Sequence, residues 1–351
     1  MKKPGICYTT GACAATAAGA AARLLAGGGT VRQTEILLPE GRRVVIAVEY
    51  AHPDGNGAEA AVRKEAGDDP DITRGALVIV HLAPVPGSDI LFAAGAGVGT
   101  VTKPGLSVKP GEPAINPVPR QMIRNAIREV TPQGMRVTVS IPGGEKLADK
   151  TFNPRLGITG GLSVLGTTGV VRPFSIDALR ASLQCSLDVA AACGVTAPVF
   201  VPGNIGRRAA QRNFRLREGQ IIEAGNEWGF VMNLAAGLDF REILVVGHPG
   251  KLVKLADGYW DTHSSRSESA VSAVARRAEG LFGKSFSGEV TAEGIFASLA
   301  LPEARQLGDS LADEVRRAVA AKTGGRGKTA AALTDMRGRI LGTSGELAPW
   351  Q

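Results

Sequence analysis

The order of apolar and polar residues over the first 150 positions predicts a mixture of helices and strands in which strands dominate. Apolar residues alternate with polar ones over several short runs, a spacing that buries one face of a strand. The pattern predicts helices over residues 12–26 and 120–130 and strands over residues 34–38, 44–50, 75–83, 89–94 and 136–141. We therefore expect residues 1–150 to form a mixed α+β layer domain.

After residue 150 the pattern changes to short aliphatic runs that alternate with amphipathic ones. These runs predict strands over residues 198–201, 220–223 and 242–246 and helices over residues 175–193, 205–214, 227–238 and 265–282, with a further helix from residue 249. Such alternation is typical of a parallel sheet with helices on both faces, so we assign residues 151–290 to a doubly wound, Rossmann-like α/β domain. Residues 291–351 hold a predicted helix over 310–322 and a hairpin over 330–341 that turns at Arg337 and Gly338; their attachment is left open.

Glycines cluster in the stretch TFNPRLGITGGLSVLGTTGVVR, residues 151–172, which leads towards the helix predicted from residue 175. Glycine loses more conformational freedom on folding than any other residue, so the cluster indicates that backbone must approach something closely. One interpretation is a strand-to-helix turn whose N–H groups face a nucleotide-like cofactor, and the other is a tight strand crossing that needs small residues. The first interpretation assigns cofactor contacts to Gly160, Gly161, Gly166, Thr167, Thr168 and Gly169.

Two further segments of small residues are candidate ligand contacts. GAGVG at residues 95–99 has the letters of a dinucleotide fingerprint but runs into TVTKPG, which cannot open a helix, so it predicts a bulged strand or a loop facing a ligand. In YTTGACAATAAGAAA near the start, Thr10 is suited to cap a helix whose N-terminus would attract a carboxylate or phosphate. The alternative is a small-residue helix packed close to a sheet, and both can hold at once.

Composition restricts the classes of partner. A formal charge of +7 and a pI near 9.4 favour anionic partners, either nucleic acid or a small polyanion. The Lys and Arg residues are scattered and only three Tyr and three Trp are present for base stacking, so nucleic acid is disfavoured. The four cysteines lack CxxC spacing and indicate reduced thiols of a cytoplasmic protein without a metal site. The sequence has no run suited to span a bilayer, and it leaves a homo-oligomer open.

Few residues are suited to carry chemistry, and most follow the last strand predicted for the parallel sheet. His248 and Lys251 come directly after it, at the edge where open α/β sheets bind ligands, and Thr262, His263 and Ser264 come shortly afterwards. Lone histidines often serve structure, so the alternative is that His248 packs a turn and His263 caps the next helix. The chain shows no GxSxG elbow, Walker loop or ordered Ser/His/Asp set. This favours a reaction driven by positioning, such as group transfer from an activated donor.

Long motifs occur in order between Tyr8 and Ser264. They are YTTGACAATAA, AAVRKEAGDDPDIT, GAGVGTVTKPGL, GEPAINPVPRQMI, TFNPRLGITGGLSVLGTTGVVRP, EILVVGHPGKLVKLADG and DTHS. On these motifs, over roughly three quarters of its length, the chain resembles the cobalt-precorrin-5B C(1)-methyltransferase family of oxygen-independent cobalamin biosynthesis. The Arg-rich stretch NIGRRAAQRNFR and the C-terminal tail lie outside the resemblance.

The resemblance implies transfer of a methyl group from S-adenosylmethionine to C-1 of cobalt-precorrin-5B, giving cobalt-precorrin-6A and S-adenosylhomocysteine. A basic protein suits a macrocycle that carries acetate and propionate arms. We expect no metal ion to be bound by the protein itself. We expect His263, and beside it His248, to be catalytic, with His263 the first choice to accept the displaced proton. The expected substrate contacts are Thr9, Thr10, Lys103, Lys251, Thr262 and Ser264.

Two other functions remain open at this point. A nicotinamide-dependent tetrapyrrole reductase would use the same doubly wound domain, but it needs an acidic residue after a strand, and Pro202, Gly203 and Asn204 follow the strand at 198–201. A non-catalytic carrier of cobalt intermediates is the second alternative. Transfer of a labelled methyl group separates a carrier from an enzyme.

Overall fold

The computed structural model describes residues 6–65, 71–171, 175–286 and 288–351. The chain has two compact units, Met1–Ile176 and Asp177–Gln351, each with a hydrophobic core of its own. The first unit extends beyond the boundary expected at residue 150, because the segment after that residue pairs with its strands and loops. Parallel and antiparallel strand pairs both occur, so this is a mixed α/β protein.

The described part of the first unit is made of short strands and a few helices. In chain order they are α1 (Thr10–Leu25), β1 (Gln33–Leu37), β2 (Arg43–Ala47), β3 (Tyr50–Asp54), β4 (Gly57–Arg63), β5 (Leu77–Val85), β6 (Ile90–Ala94), β7 (Thr100–Val101), α2 (Pro117–Arg128), β8 (Gly134–Ser140), α3 (Gly144–Ala148) and β9 (Ile158–Thr159). Strand dominance agrees with the α+β pattern expected for this part of the chain.

A five-stranded sheet in the order β3-β4-β5-β8-β6 carries α1 against β4 and β5. Its neighbouring strands are antiparallel except β6 and β8, which run parallel. Because α1 consists mainly of Ala, Gly and Thr, it is buried along its first 13 residues and packs closely against its neighbours. A β-carbon at Gly19, for example, would lie 2.9 Å from Cγ2 of Thr34. This agrees with the alternative given in the sequence analysis, a helix of small residues packed close to a sheet.

The glycine-rich segment lies in the first unit and does not open the parallel sheet. Its strand β9 has two residues and pairs antiparallel with β7. Single bridges pair Val170 with Tyr8, Leu162 with Val98 and Val164 with Ile115. The expectation of a strand-to-helix turn in the doubly wound domain is wrong, because these aliphatic residues pair with segments far away in sequence, which a local pattern does not reveal. Residues 172–174 lie outside the described residues.

The second unit alternates strands and helices. Its described elements are α4 (Ile176–Ala192, which begins at the boundary), β10 (Val199–Val201), α5 (Asn204–Asn213), β11 (Ile221–Glu223), α6 (Trp228–Ala235), β12 (Glu242–Gly247), α7 (Pro249–Ala256), α8 (Ala270–Phe282), α9 (Ala292–Ala297), α10 (Leu301–Lys322), β13 (Lys328–Thr334), β14 (Ile340–Ser344) and a short 3-10 helix (Ala348–Trp350). The alternation from residue 198 onward follows the sequence pattern closely.

The strands of the second unit form one sheet in the order β11-β10-β12-β13-β14. The first four strands are parallel, and β14 pairs antiparallel with β13. One face packs against α4, α6, α7, α8 and α10, and the other packs against α5 and Trp350. Since both faces are covered, consecutive residues such as Val199 and Phe200 are buried on opposite sides, as expected for a doubly wound sheet.

Several elements differ from the sequence prediction; α10, for example, begins at Leu301 instead of residue 310. The run at 44–50 is split between β2 and β3, because the chain leaves one sheet and enters another there. Strand β4 is rich in Ala and Gly and lacks the alternation that predicts strands; it is buried along most of its length, and α1 packs against it. Helix α8 begins at Ala270 instead of residue 265, after a turn in which the Oγ of Ser267 donates to the carbonyl of His263.

The C-terminal segment belongs to the second unit. Strand β13 pairs with β12 along six residues, from Lys328 opposite Glu242 to Leu333 opposite Gly247. The hairpin predicted at its end is present as β13 and β14, and Gly338 in the connection has a φ of 79°, which favours glycine. This strand pairing supplies the attachment that the sequence left open.

Candidate functional site

The start of α1, where a carboxylate was expected, is occupied by protein groups. Thr9 caps the helix, its Oγ1 accepting from the N–H of Ala12 at 3.3 Å. The carbonyl of Leu165 accepts from the N–H of Gly11 at 3.0 Å, and the N–H of Leu165 donates to Oγ1 of Thr10 at 2.9 Å. Thr9 and Thr10 are both buried. The Thr10 hydroxyl therefore joins the helix to the glycine-rich segment, while the Thr9 hydroxyl caps the helix; direct contact of either residue with a substrate stays a prediction.

Most of the candidate cofactor glycines are explained by close packing. A β-carbon added at Gly161 would lie 2.3 Å from the carbonyl carbon of Gly97. One added at Gly166 would lie 2.2 Å from Oγ1 of Thr9, and one added at Gly169 would lie 2.6 Å from Cδ2 of Leu38. Gly160 differs, because it is exposed, has open space around it and needs glycine for its φ of 81°. The crossing interpretation thus accounts for three of the six proposed contacts.

Residues on the open side of the segment are the ones that a ligand can reach. Thr167 is exposed and Thr168 is half-buried, with its Oγ1 donating to the carbonyl of Val170 at 3.0 Å. Lys103 lies beside the same segment, because its aliphatic stem covers Gly157, and the N–H and Oγ1 of Thr102 both donate to the Gly157 carbonyl at 2.7 Å. The structure therefore brings Lys103 and the glycine-rich segment together.

The carboxyl edge of the parallel sheet in the second unit has a topological switch point between β10 and β12. Strand β10 is followed by α5 and its neighbour β11, whereas β12 leads to β13 on the opposite side. Ligands of open α/β sheets bind in the crevice at such a point. The residues that follow the two strands there are Gly203 and Asn204 after β10 and His248 after β12.

His248 caps α7 and is bonded at both ring nitrogens. Its Nδ1 accepts from the N–H of Gly250 at 3.0 Å, and its Nε2 lies 2.9 Å from Oε2 of Glu293 in the first turn of α9. Because Nδ1 accepts from a backbone donor, the proton of the neutral ring is on Nε2, where it is donated to the carboxylate. These contacts agree with the alternative given for His248 in the sequence analysis, that it packs a turn.

His263 lies on the exposed turn before α8. Its Nδ1 accepts from the N–H of Ser265 at 3.2 Å and lies 2.7 Å from the Oγ of the same residue. Its own N–H donates to Oδ1 of Asp261 at 3.0 Å, and Asp261 also pairs with Arg266. The ring thus stabilises this turn rather than capping α8, whose N-cap is Ser269. Ser264 is exposed beside it.

Lys251 and Thr262 lie within hydrogen-bond distance of each other. The Nζ of Lys251 donates to Oδ1 of Asn226 at 2.8 Å and to the carbonyl of Thr262 at 3.3 Å. The Oγ1 of Thr262 donates to the same amide oxygen at 3.2 Å, and Thr262 is completely buried. Burial and the nearby Lys254 ammonium lower the pKa of Lys251 from its ordinary 10.5.

Sequence reasoning missed three members of this site: Asn226, Lys254 and Glu293. Asn226 comes shortly after β11, so the rule that ligands bind at carboxyl ends of strands could have pointed to it. Lys254 lies three residues after Lys251, a spacing that puts both on one helix face. Glu293 carries no such signal, because α9 was not predicted and its contact with His248 joins residues 45 positions apart.

Some kinds of site are not seen in the part of the chain that the structure describes. No helix there is long and apolar enough to cross a membrane. His, Cys, Asp and Glu side chains of the same residues form no group of three that could hold a metal ion.

In the second unit, four parallel strands and one antiparallel strand form a sheet with helices against both faces, which is an α/β architecture. The chain as a whole belongs to the CbiD family, whose model matches residues 2–173. It is 53% identical over 98% of its length, and 98% of the relative's, to a cobalt-precorrin-5B C(1)-methyltransferase of Syntrophotalea carbinolica. A protein of the same name from Methanocaldococcus jannaschii is 47% identical over 75% of this chain and 74% of its own.

Among solved structures, the chain matches the crystal structure of a cobalamin biosynthesis protein (cbiD) from Archaeoglobus fulgidus. The two are 27% identical, and the match covers 74% of this chain and 82% of that one with a TM-score of 0.40.

Proposed function

We propose that this protein transfers the methyl group of S-adenosylmethionine to C-1 of cobalt-precorrin-5B and so contributes to cobalamin biosynthesis. The observation that carries the proposal is the 53% identity to a cobalt-precorrin-5B C(1)-methyltransferase over nearly the full length of both chains. In the reaction a carbon–carbon bond forms at C-1, the sulfur–methyl bond of the donor breaks, and one proton leaves the substrate. Cobalt enters as part of the substrate.

Two surfaces support this chemistry. In the first unit, Gly160, Thr167 and Thr168 present accessible polar backbone and hydroxyl groups to a donor, and Lys103 offers a cation beside them. In the second unit, Lys251 lies at the carboxyl edge of the sheet, and its ammonium group is suited to bind a carboxylate of the substrate. In a transfer from an activated donor, positioning and desolvation supply most of the rate acceleration.

His263 is the proposed proton acceptor, in preference to His248. To take up a proton, the neutral His263 ring must release the N–H of Ser265 from Nδ1, and an exposed turn permits this. His248 would have to give up the cap of α7 while its other nitrogen stays bonded to Glu293. The proposed role is general-base catalysis, which typically contributes roughly 100-fold or more to a rate.

The test is anaerobic single-turnover methyl transfer from methyl-labelled S-adenosylmethionine to cobalt-precorrin-5B. We expect one labelled methyl per macrocycle and an equal amount of S-adenosylhomocysteine. Binding of cobalt-precorrin-5B without labelling would identify a carrier, and consumption of NADH would identify a reductase; either result contradicts the proposal.

The same assay tests His263. We expect His263→Ala to bind both ligands normally and to transfer methyl about 100-fold more slowly. His52→Ala, at an exposed histidine of the first unit, is the matched control and should keep the wild-type rate. A His263→Ala variant with an unchanged rate would remove this residue from the mechanism.

A further inference from the structure

Two lysines one turn apart on α7 direct their ammonium groups at the same carbonyl oxygen. Nζ of Lys251 and Nζ of Lys254 each lie 3.3 Å from the carbonyl oxygen of Thr262. Their second acceptors are neutral as well: Oδ1 of Asn226 at 2.8 Å for Lys251 and Oγ of Ser267 at 2.7 Å for Lys254. Two positive charges are therefore held close together by groups that carry no negative charge.

Burial makes this arrangement costly in free energy. Lys254 is only 7% exposed, although lysine is seldom buried without a partner of opposite charge. Lys251 is half-buried, and burial together with the neighbouring ammonium lowers its pKa by more than the Asp261 carboxylate raises it, so its charged form is disfavoured here. A negative charge at this position would offset both effects.

The acidic side chains nearest along the chain and in the adjoining loop already have other partners. Asp261 pairs with Arg266 at 2.8 Å, and Asp257, which ends α7, pairs with Arg277 at 2.8 Å. Glu227, the neighbour of Asn226, pairs with Arg180 at 2.7 Å. Within the described residues, neither ammonium of the lysine pair forms an ion pair with a carboxylate of the protein.

We propose that Lys251 and Lys254 form a receptor for a carboxylate of a bound ligand. Each ammonium has three N–H donors and uses two of them, so one from each remains for the ligand. Thr262 and Asn226 fix the position of the lysine side chains, and the helix places them next to the carboxyl edge of the sheet. Charge-assisted hydrogen bonds of this kind are short and strong.

The carboxylate receptor is inferred from the lysine pair itself, and only the identity of the ligand that supplies the carboxylate rests on the proposed function. Two sources offer the same chemistry: the amino-acid end of the methyl donor and an acetate or propionate arm of the tetrapyrrole. Both are flexible chains ending in a carboxylate. They are distinguished by the ligand whose affinity depends on the lysine pair.

The receptor itself can be tested without the methyl-transfer reaction. We expect tricarballylate to raise the melting temperature of the wild-type protein above its value in sodium chloride of equal ionic strength, because binding to the folded state stabilises it. Lys251→Met and Lys254→Met should each lose this increase, whereas Lys251→Arg should retain most of it. Lys328→Met, which removes an exposed lysine paired with Glu346, is the control and should behave as wild type.

The source follows from titrations of the folded Lys251→Met variant. Binding of S-adenosylhomocysteine weakened by about tenfold or more, with 5′-methylthioadenosine unaffected, would assign the donor carboxylate. The same loss for cobalt-precorrin-5B alone would assign the macrocycle. The receptor proposal is overturned if both affinities are unchanged, if tricarballylate stabilises the variants as it does wild type, or if only the turnover rate falls. If wild type shows carboxylate-specific stabilisation but no methyl transfer, the receptor stands and the proposed function fails.

Discussion

Gly160 and Gly161 are neighbours in the sequence but require glycine for different reasons. Gly160 has a positive φ and open space, so its backbone conformation is the only constraint. Gly161 lies against the backbone of Gly97, where a β-carbon has no room. The density of glycines could be read from the sequence as a sign of close approach. The sequence does not show whether a ligand or another part of the chain makes this approach, because the residue that fills the space beside Gly161 lies 64 positions away.

We expect the same substitution to separate the two cases. Gly160→Asn should cost less than about 1 kcal/mol, because Asn tolerates the left-handed conformation. Gly161→Asn should cost about 3 kcal/mol or more, since backbone must move to admit the side chain. Denaturant unfolding of both variants measures the difference.

Equal losses of stability would contradict this account of the segment. The comparison also guides functional work. Gly160→Asn is the informative variant for donor binding, because a Gly161 variant that fails to bind would report a damaged fold.

At the scale of elements, the end of β4 is tied to the segment that precedes β5 by an ion pair whose lysine is buried. Lys64 is 2% exposed, and its Nζ pairs with Oδ2 of Asp71, while Oδ1 of Asp71 accepts from the N–H and Oγ1 of Thr73. Although partial burial by itself raises it, these hydrogen bonds keep the pKa of Asp71 below its ordinary 3.8. The sequence showed neither the strand nor the pair, since β4 lacks alternation and the two residues carry no spacing rule.

Breaking this pair should destabilise the first unit. We expect Asp71→Ala to lower the free energy of unfolding by about 3 kcal/mol, because it leaves the Lys64 ammonium buried without a partner. A carboxyl whose pKa is lowered on folding stabilises the protein above its unfolded pKa, and this contribution is lost as the pH falls through the folded value. The difference between wild type and variant should therefore shrink below pH 3.8. Unfolding curves from pH 7 downwards measure it.

An exposed ion pair on the same strand supplies the control. Arg63 pairs with Glu49 on the surface, so Glu49→Ala should change stability little. The double variant Lys64→Met with Asp71→Ala should recover part of the loss. An Asp71→Ala variant that is no less stable than Glu49→Ala would show that Lys64 finds another partner.

At the scale of the whole molecule, the second unit is complete only with its C-terminal strands. Strand β13 is an inner strand, with Ala331 and Leu333 in one core and Ala330 and Ala332 in the other. The alternation of strands and helices could be predicted from the sequence. The position of β13 in the sheet could not be predicted, because a hairpin pattern is local and does not indicate which other strand the hairpin pairs with.

We expect residues 175–351 to fold alone with a single cooperative unfolding transition, because the unit has its own core on both sheet faces. A fragment that stops at residue 322 should not fold, since it exposes the whole paired edge of β12. Circular dichroism during urea titration distinguishes the two. Cooperative folding of the shorter fragment would contradict the assigned role of β13.

The long-range hydrogen bonds at the start of α1 have a consequence for the order of events during synthesis. The hydroxyl of Thr10 bonds to Leu165, 155 positions further along the chain, and the residue before it, Thr9, donates its N–H to the carbonyl of Gly169. The hydrogen bonds between the start of α1 and the glycine-rich segment therefore form only after residues 165–169 have been synthesised. Contacts between such distant residues slow folding, because a long loop must close before they form. Until then the nascent α1, apolar and built of small residues, lacks the segment that bonds to its first turn.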